Sequence, residues 1–376
     1  MAVILIILLV LVFILGQARV YRKNWNRNLK ISVGFSVGMT GAGDDFEIIE
    51  KAENDKWLPV PSLMIKYSTD RNLVVPNLLT DEKENMVTDK FYYSDAIPVL
   101  SHKKSIKKLV CHSKKRGVFT VDHIFLAARD LCYTEEYHTS ISENASILIY
   151  PSYLNFGDSE YPFNHMMGDI LTRLRFIEDP FEFRGLRDYL PQDPTNRINW
   201  KASAKSDDYI VNEFNQTVLK TVRIYVNLTQ NSGHFEDALI EEELRLLVSI
   251  ASDLLNRGFS VSFNSNAISV FGDKNINVEV GSGKAHMEQI HEASAVVDAS
   301  ARVQEFSETD FFEDFKDNND FVILIGFEQS EDLQNGIRER IKNGLGIFWI
   351  LPINGYVKCE AGKDLTGIIY EWGKNV

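Results

Sequence analysis

Val222-Arg-Ile-Tyr-Val-Asn-Leu228, followed by Glu241–Arg257, Gly258 and Phe259-Ser-Val-Ser-Phe263, is the succession that decides the fold of the second half of this chain. The first run is apolar and β-branched, as a buried strand requires. Residues 241–257 then place Leu244, Leu247, Val248, Ala251, Leu254 and Leu255 on one face at helical spacing. Gly258 supplies the stop and Phe259–Phe263 the next strand. Working outward, Met287–Ala299 and Glu331–Lys342 read as helices, and Phe321-Val-Ile-Leu-Ile325 and Ile347-Phe-Trp-Ile-Leu351 as strands. Strands alternating with helices predict an α/β domain over residues 218–376 with a mainly parallel sheet covered on both faces.

Upstream the period changes. Leu29–Val37, Phe46–Glu50 and Leu63–Tyr67 alternate apolar and polar residues, separated by Gly41-Ala-Gly-Asp-Asp and Asn54-Asp-Lys turns. This predicts a small antiparallel β-sandwich over residues 31–175. In Trp57-Leu-Pro-Val-Pro-Ser-Leu63 two prolines place the segment at a sheet edge or crossing. Lys103-Lys104, Lys107-Lys108 and Lys114-Lys-Arg116 read first as a solvated hairpin face; contact with anionic headgroups is the sharper alternative.

The chain opens on sixteen nearly uninterrupted apolar residues, Met1 to Gly16. As a helix these cover roughly 24 Å, somewhat less than the ~30 Å hydrocarbon layer. A cleaved signal peptide is the rival reading, because Gly16 and Ala18 are small and suitably spaced. Against it, no basic region precedes the run, whereas Arg19, Arg22, Lys23, Arg27 and Lys30 follow it. The expectation is an uncleaved anchor over residues 1–20 with the body on the cytoplasmic side of the cell membrane.

Of 53 acidic and 40 basic residues, residues 221–376 hold 25 and 13, leaving 28 and 27 for residues 1–220. A neutral half and an acidic half give no basic footprint for nucleic acid. Three scattered cysteines (Cys111, Cys132, Cys359) suggest a reducing compartment, each read as a small buried hydrophobe. The histidines follow no HExxH pattern; His286 and His291 lie five apart on a predicted helix. Nucleophile elbow, Walker loop and dinucleotide turn are absent from the sequence. Glu241-Glu-Glu243 reads as a charged first helical turn. The sequence therefore points to a non-enzymatic protein with no cofactor.

Residues 176–217 form a separate segment whose centre is Glu182-Phe-Arg-Gly-Leu-Arg-Asp-Tyr-Leu-Pro-Gln-Asp-Pro-Thr-Asn-Arg-Ile-Asn-Trp-Lys-Ala-Ser-Ala204. It resembles the signature of domain-of-unknown-function family 58, bacterial proteins carrying a von Willebrand factor A-like domain. The aromatic-Leu-Pro-x-Pro at Trp57–Pro61 extends the likeness. This chain departs from the usual pattern at Gln192, Asn199 and Lys205, where Gly, Asp and Arg are common. The resemblance implies a von Willebrand factor A-like fold for residues 218–376. It also implies a role beside a MoxR-type AAA+ ATPase in assembling or maturing other proteins. The block itself has two readings. Leu186, Tyr189 and Trp200 could pack a domain junction, with Arg184, Arg187 and Arg197 paired to Glu182, Asp188 or Asp193. Alternatively Arg184, Gly185, Arg187, Tyr189, Pro191, Asp193, Arg197, Trp200, Lys201 and Ser203 could form a partner-binding surface.

In A-type domains the ligand site lies at the carboxyl end of the first strand, where an Asp-x-Ser-x-Ser run binds Mg²⁺. The matching positions here are Asn227, Thr229 and Asn231, with Glu328 after the later strand. A neutral amide in place of the first carboxylate marks this metal site as degenerate. The competing expectation, a metal-dependent adhesion or ligand-binding module outside the cytoplasm, requires that site to work.

Overall fold

The computed structural model describes all residues except 1, 75–89, 155–159, 176–177, 192, 194, 196–197, 206–207, 217–220, 229–233, 299–320, 355–356 and 374–376. The chain divides into two compact units, Met1–Ser152 and Tyr153–Val376.

The first unit begins with α1 (Ala2–Asn24) and continues in strands: β1 (Leu29–Phe35), β2 (Met39–Gly41), β3 (Asp45–Asn54), β4 (Val60–Asp70), β5 (Leu73–Val74), β6 (Lys90–Val99), β7 (Lys103–Ser113), β8 (Gly117–Arg129), β9 (Glu136–Ile141) and β10 (Ala145–Tyr150). One sheet has the order β1-β3-β7-β5 and the other β2-β10-β8-β4-β6, with β9 also on β8. Every pairing is antiparallel except β2 with β10. At His123, held at φ 52, β8 passes from β10 to β9 as its neighbour. One cluster of buried side chains draws on both sheets: Ile48 from β3, Leu63 and Ile65 from β4, Val99 from β6, Ile124 from β8. The expected edge position of the Pro59–Pro61 segment is corrected. Pro61 lies in β4, which is flanked by β6 and β8, and a register shift between Val60 and Leu63 accommodates the missing N–H.

The last turn of α1 and the residue after it belong to this core. Tyr21 is 1% and Trp25 5% exposed, the Tyr21 hydroxyl donates to the Pro59 carbonyl at 2.7 Å, and Trp25 stacks on Tyr137. The preceding stretch is the reverse: Val3 to Leu15 present apolar side chains to the outside. It forms the one helix among the described residues that is long and apolar enough to cross a membrane.

The second unit contains α2 (Glu160–Arg175), β11 (Glu178–Asp188), α3 (Trp200–Ser203), β12 (Ile210–Gln216), β13 (Thr221–Val226), α4 (His234–Asn256), β14 (Ser260–Ser269), β15 (Gly272–Gly281), α5 (Lys284–Ala295), β16 (Phe321–Ile325), α6 (Glu331–Lys342), β17 (Gly346–Pro352) and β18 (Ile369–Trp372). Thus α2, placed by sequence with the first domain, groups with the second unit. Six strands form a mixed sheet in the order β15-β14-β13-β16-β17-β18. The outer β15 runs antiparallel to β14, and the other neighbours are parallel. All five residues of β16 are buried, as an unbroken apolar run on a sheet covered on both faces must be. α4 packs on β13, β14, β16 and β17 through Leu244, Leu247, Ile250, Ala251 and Leu254. Gly258, at φ 87, ends it in a left-handed turn that favours glycine. β11 and β12 form a separate antiparallel ribbon.

Candidate functional site

Two places bring together the residues singled out by sequence. The first is the carboxyl end of β13 and β16. Val226 ends β13 and Asn227 follows it, 1% exposed, its backbone N–H donating to the Ile325 carbonyl at 2.8 Å. Gly326 lies so close that an added Cβ would stand 2.7 Å from the Asn227 carbonyl oxygen. A glycine here lets the two strand ends meet. The Asn227 Nδ2 donates to Glu328 Oε2 at 2.7 Å, while Glu328 Oε1 accepts from Ser330 Oγ at 2.9 Å. Thr229 and Asn231 fall outside the described residues.

The described part of this site, Asn227 and Glu328, is a hydrogen-bonded pair. An amide N–H, not a ligand oxygen, faces the Glu328 carboxylate, and the Asn227 Oδ1 has no partner among the described residues. An aspartate at 227 would set two carboxylates together and call for a cation; asparagine supplies the donor itself. Among the described residues no group of three or more His, Cys, Asp or Glu side chains could hold a metal.

Sequence reading missed two side chains at this end. Glu243, read as part of a solvated first turn, is fully buried in α4, and its Oε1 accepts from the Phe327 N–H at 3.1 Å. Burial pushes the Glu243 carboxyl well above the usual carboxylate range, opposed by that hydrogen bond. Asn266 in β14 accepts from the Leu228 N–H at 2.9 Å and donates to the Leu228 carbonyl at 2.8 Å. Its amide thereby continues the ladder beyond the end of β13. The signal for both was an uncompensated polar residue inside an apolar pattern.

The second place is the β11–β12 ribbon. Arg187 grips Asp193 through two 2.7 Å hydrogen bonds, a planar fork on a carboxylate, and also donates to the Asp188 carbonyl at 3.0 Å. Asp193 in turn accepts from the Leu190 N–H at 2.8 Å. Asn199 caps α3 by accepting from the Ala202 N–H at 3.0 Å and donates to Asn212 Oδ1 at 2.8 Å. Ser203 Oγ accepts from the Ile210 N–H at 2.8 Å. Gly185 and Tyr189 are half-buried, and Pro191 and Lys201 are exposed; the Arg184 side chain and all of Arg197 lie outside the described residues.

Trp200 is 64%, Tyr209 58%, Leu186 48% and Leu190 46% exposed. Tyr209 meets Trp200 and Tyr189 edge-on, both at 6.1 Å between centroids. Leu186, Leu190, Trp200 and Tyr209 thus present apolar side chains outward on a ribbon fixed by the arginine clip. One further expectation, that each cysteine is buried, changes. Cys132 is exposed, and only Cys111 is fully buried, its thiol pushed up to about 12 by burial. His286 and His291 are both buried, bonded to the Val261 carbonyl at 2.7 Å and the Tyr153 hydroxyl at 2.6 Å.

No family model matches the chain, and no curated protein matches it. Among solved structures, a type I cohesin–dockerin complex from Clostridium thermocellum is 15% identical, with a TM-score of 0.24; the match covers 33% of this chain and 99% of that one. A non-cellulosomal cohesin from the archaeon Archaeoglobus fulgidus is 14% identical at a TM-score of 0.22, covering 37% of this chain and 98% of that one. The Pseudomonas fluorescens alkylpurine DNA glycosylase AlkC, bound to DNA with an abasic-site analogue, is 12% identical at a TM-score of 0.21, covering 32% and 30%. At TM-scores this low none of the three bears on the fold or function of this chain.

Proposed function

We propose that this protein is a membrane-anchored, non-enzymatic adaptor that offers the β11–β12 ribbon to a protein partner. The observation that carries the reading is the ribbon itself. Four large apolar side chains, Leu186, Leu190, Trp200 and Tyr209, stand in solvent on a scaffold held by the Arg187–Asp193 clip. Rigid exposed aromatics beside an arginine are what interface hot spots are made of. The signature resemblance names the partner class, a MoxR-type AAA+ ATPase, with a client protein whose assembly or maturation is served.

The remaining parts fit this role. The strand order β15-β14-β13-β16-β17-β18 with its antiparallel outer strand supports reading residues 218–376 as a von Willebrand factor A-like domain. The two sheets sharing one core support a β-sandwich for the first unit. The Asn227–Glu328 hydrogen bond supports a degenerate metal site, so that partner binding proceeds without a bridging ion. The docking of Gln17 onto the first unit, 3.0 Å from Asp130, favours a retained anchor over a cleaved leader, since cleavage after Ala18 would remove this bond. The basic flank from Arg19 to Lys30 supports a body on the cytoplasmic side.

The test is a crosslinked pull-down of the tagged full-length protein from native membranes beside a Trp200→Ala, Tyr209→Ala double variant. Because both side chains are mostly exposed, the variant should keep its melting temperature. An AAA+ ATPase recovered with the normal protein and lost with the variant is the expected result. Equal recovery in both, or recovery in neither, refutes the ribbon as the docking surface.

A further inference from the structure

The end of the first unit at which α1 enters is built from loops that carry large apolar side chains outward. β3 ends at Asn54 and β4 begins at Val60; β6 ends at Val99 and β7 begins at Lys103; β8 ends at Arg129 and β9 begins at Glu136. The registers Asn54↔Lys103, Val60↔Val99, Ser62↔Arg129 and Arg129↔Glu136 put these three loops at one end of the unit. Hydrogen bonds tie the first two together, from the His102 N–H and the Ser101 hydroxyl to the Lys56 carbonyl, each 3.1 Å. The third is tied to the helix by Gln17 Nε2 to Asp130 Oδ2 at 3.0 Å and by Arg22 to Glu135 at 2.6 Å. On these loops Trp57 is 68%, Leu100 58%, Tyr133 57% and Leu131 48% exposed.

No linker separates this end from the outward-facing apolar stretch of α1. Leu15 is exposed, and Gln17, two residues on, is already bonded to the loop. At 1.5 Å of rise per residue that interval is about 3 Å along the helix axis. The apolar stretch Val3–Leu15, about 20 Å long, is shorter than the ~30 Å hydrocarbon layer, so a bilayer around it extends at least to the level of Asp130. Loop tips beside that point cannot avoid the headgroup layer. Their residue types suit it, since Trp and Tyr favour the membrane interface and Leu its apolar side. Arg19, Lys23, Arg27, Lys103 and Lys104 are all exposed in the same end region, where lipid phosphates would meet them.

We propose that the Asp130–Thr134 loop, with Trp57 and Leu100 beside it, is a second membrane contact that seats the first unit in the headgroup layer around its anchor. The surface takes phospholipid, and anionic phospholipid best. The inference rests on α1 being a retained anchor, and the experiment separates the two.

Cys132 lies in the loop and is exposed, whereas Cys111 is buried. The full chain carrying Cys359→Ser is labelled at Cys132 with a polarity-sensitive thiol dye. It is reconstituted in vesicles of phosphatidylcholine with phosphatidylglycerol. A control carries Phe13→Cys with Cys132→Ser and Cys359→Ser. Nitroxide lipids quench each dye at known depth. The expected result is a blue-shifted Cys132 dye losing most of its emission to headgroup-proximal nitroxides and little to deep ones, while the Phe13 position is quenched by deep ones. A solvent-like, unquenched Cys132 dye beside a deeply quenched Phe13 position overturns the loop contact and leaves the anchor. Loss of both signals removes anchor and loop together. A blue-shifted dye that no nitroxide reaches means a second copy covers the loop, which also overturns the lipid assignment.

Discussion

Glu50 and Glu243 are the two residues whose chemistry departs furthest from their surroundings. Glu50 is fully buried on the inward face of β3, where Tyr67 donates to its Oε1 at 3.0 Å. Burial first, and then the Asp95 carboxylate, push its acid up to about 7; the Tyr67 hydrogen bond and Lys107, which is paired with Asp95, act in opposition. The folded chain thus holds a proton here that the unfolded chain has already released between about pH 4.5 and 7. The group costs nothing below that window, and stability falls as pH rises through it, by about 3 kcal/mol in full. Glu50→Gln should leave thermal stability at pH 5 within a degree or two of the parent and raise it by several degrees at pH 8. Parallel melting curves at both pH values would show this, and an equal shift at both would mean that ionisation is not the cause. At Glu243 the reasoning runs through the hydrogen bond. Glu243→Gln retains an acceptor for the Phe327 N–H and should cost under about 1 kcal/mol. Glu243→Ala leaves that N–H unpartnered beside a cavity and should cost about 3 kcal/mol or more, read as a lower denaturant midpoint.

At the scale of elements, Asn199 and the ribbon offer the cleanest test. Its side chain both caps α3 and bridges to Asn212, so Asn199→Ala should cost about 1 kcal/mol locally. Hydrogen exchange at the Ala202 and Ile210 amides should speed up severalfold, while exchange in β16 stays unchanged. Asn199→Asp should be nearly silent, because the Asn212 amide can turn its N–H₂ toward the new carboxylate. The ribbon also marks the limit of what the sequence discloses. β16 is legible because five consecutive apolar residues meet cover on both faces, and α4 because its leucines keep a 3.6 period. β11 is not, since its partner β12 follows only after more than twenty residues that include α3, and non-local pairing leaves no period in either strand. Of β14 only the first half, within Phe259–Phe263, is legible in the sequence. Ser262, Ser265 and Asn266 are buried polar residues in its middle. Two of them exist to satisfy the end of β13, with Ser265 donating to the Val226 carbonyl at 2.8 Å and Asn266 bonding Leu228 twice. Thus the residues that satisfy the end of β13 are those that obscure the second half of β14.

At the scale of the whole molecule, the helix that leaves the first unit is also part of that unit's core. An anchor joined by a loose tether could be removed without consequence, but Tyr21 of α1 and Trp25 directly after it belong to the cluster containing Ile48, Val60 and Leu63. Losing two such buried aromatics should cost about 3–5 kcal/mol for each, comparable with the entire stability of a domain of this size. Two truncations therefore behave differently. A chain starting at residue 17 loses the outward-facing apolar stretch but keeps Gln17 on Asp130, Tyr21 on Pro59 and Trp25 on Tyr137. It should be soluble without detergent and melt cooperatively. A chain starting at residue 29 should expose the first unit to trypsin within its β-strands and lose near-ultraviolet dichroism from its tyrosines, while the second unit stays protected. If the two truncations prove equally stable, α1 is an appendage rather than a core element. If only the shorter one fails, the membrane-facing end of this protein is held in place by the same side chains that fold it.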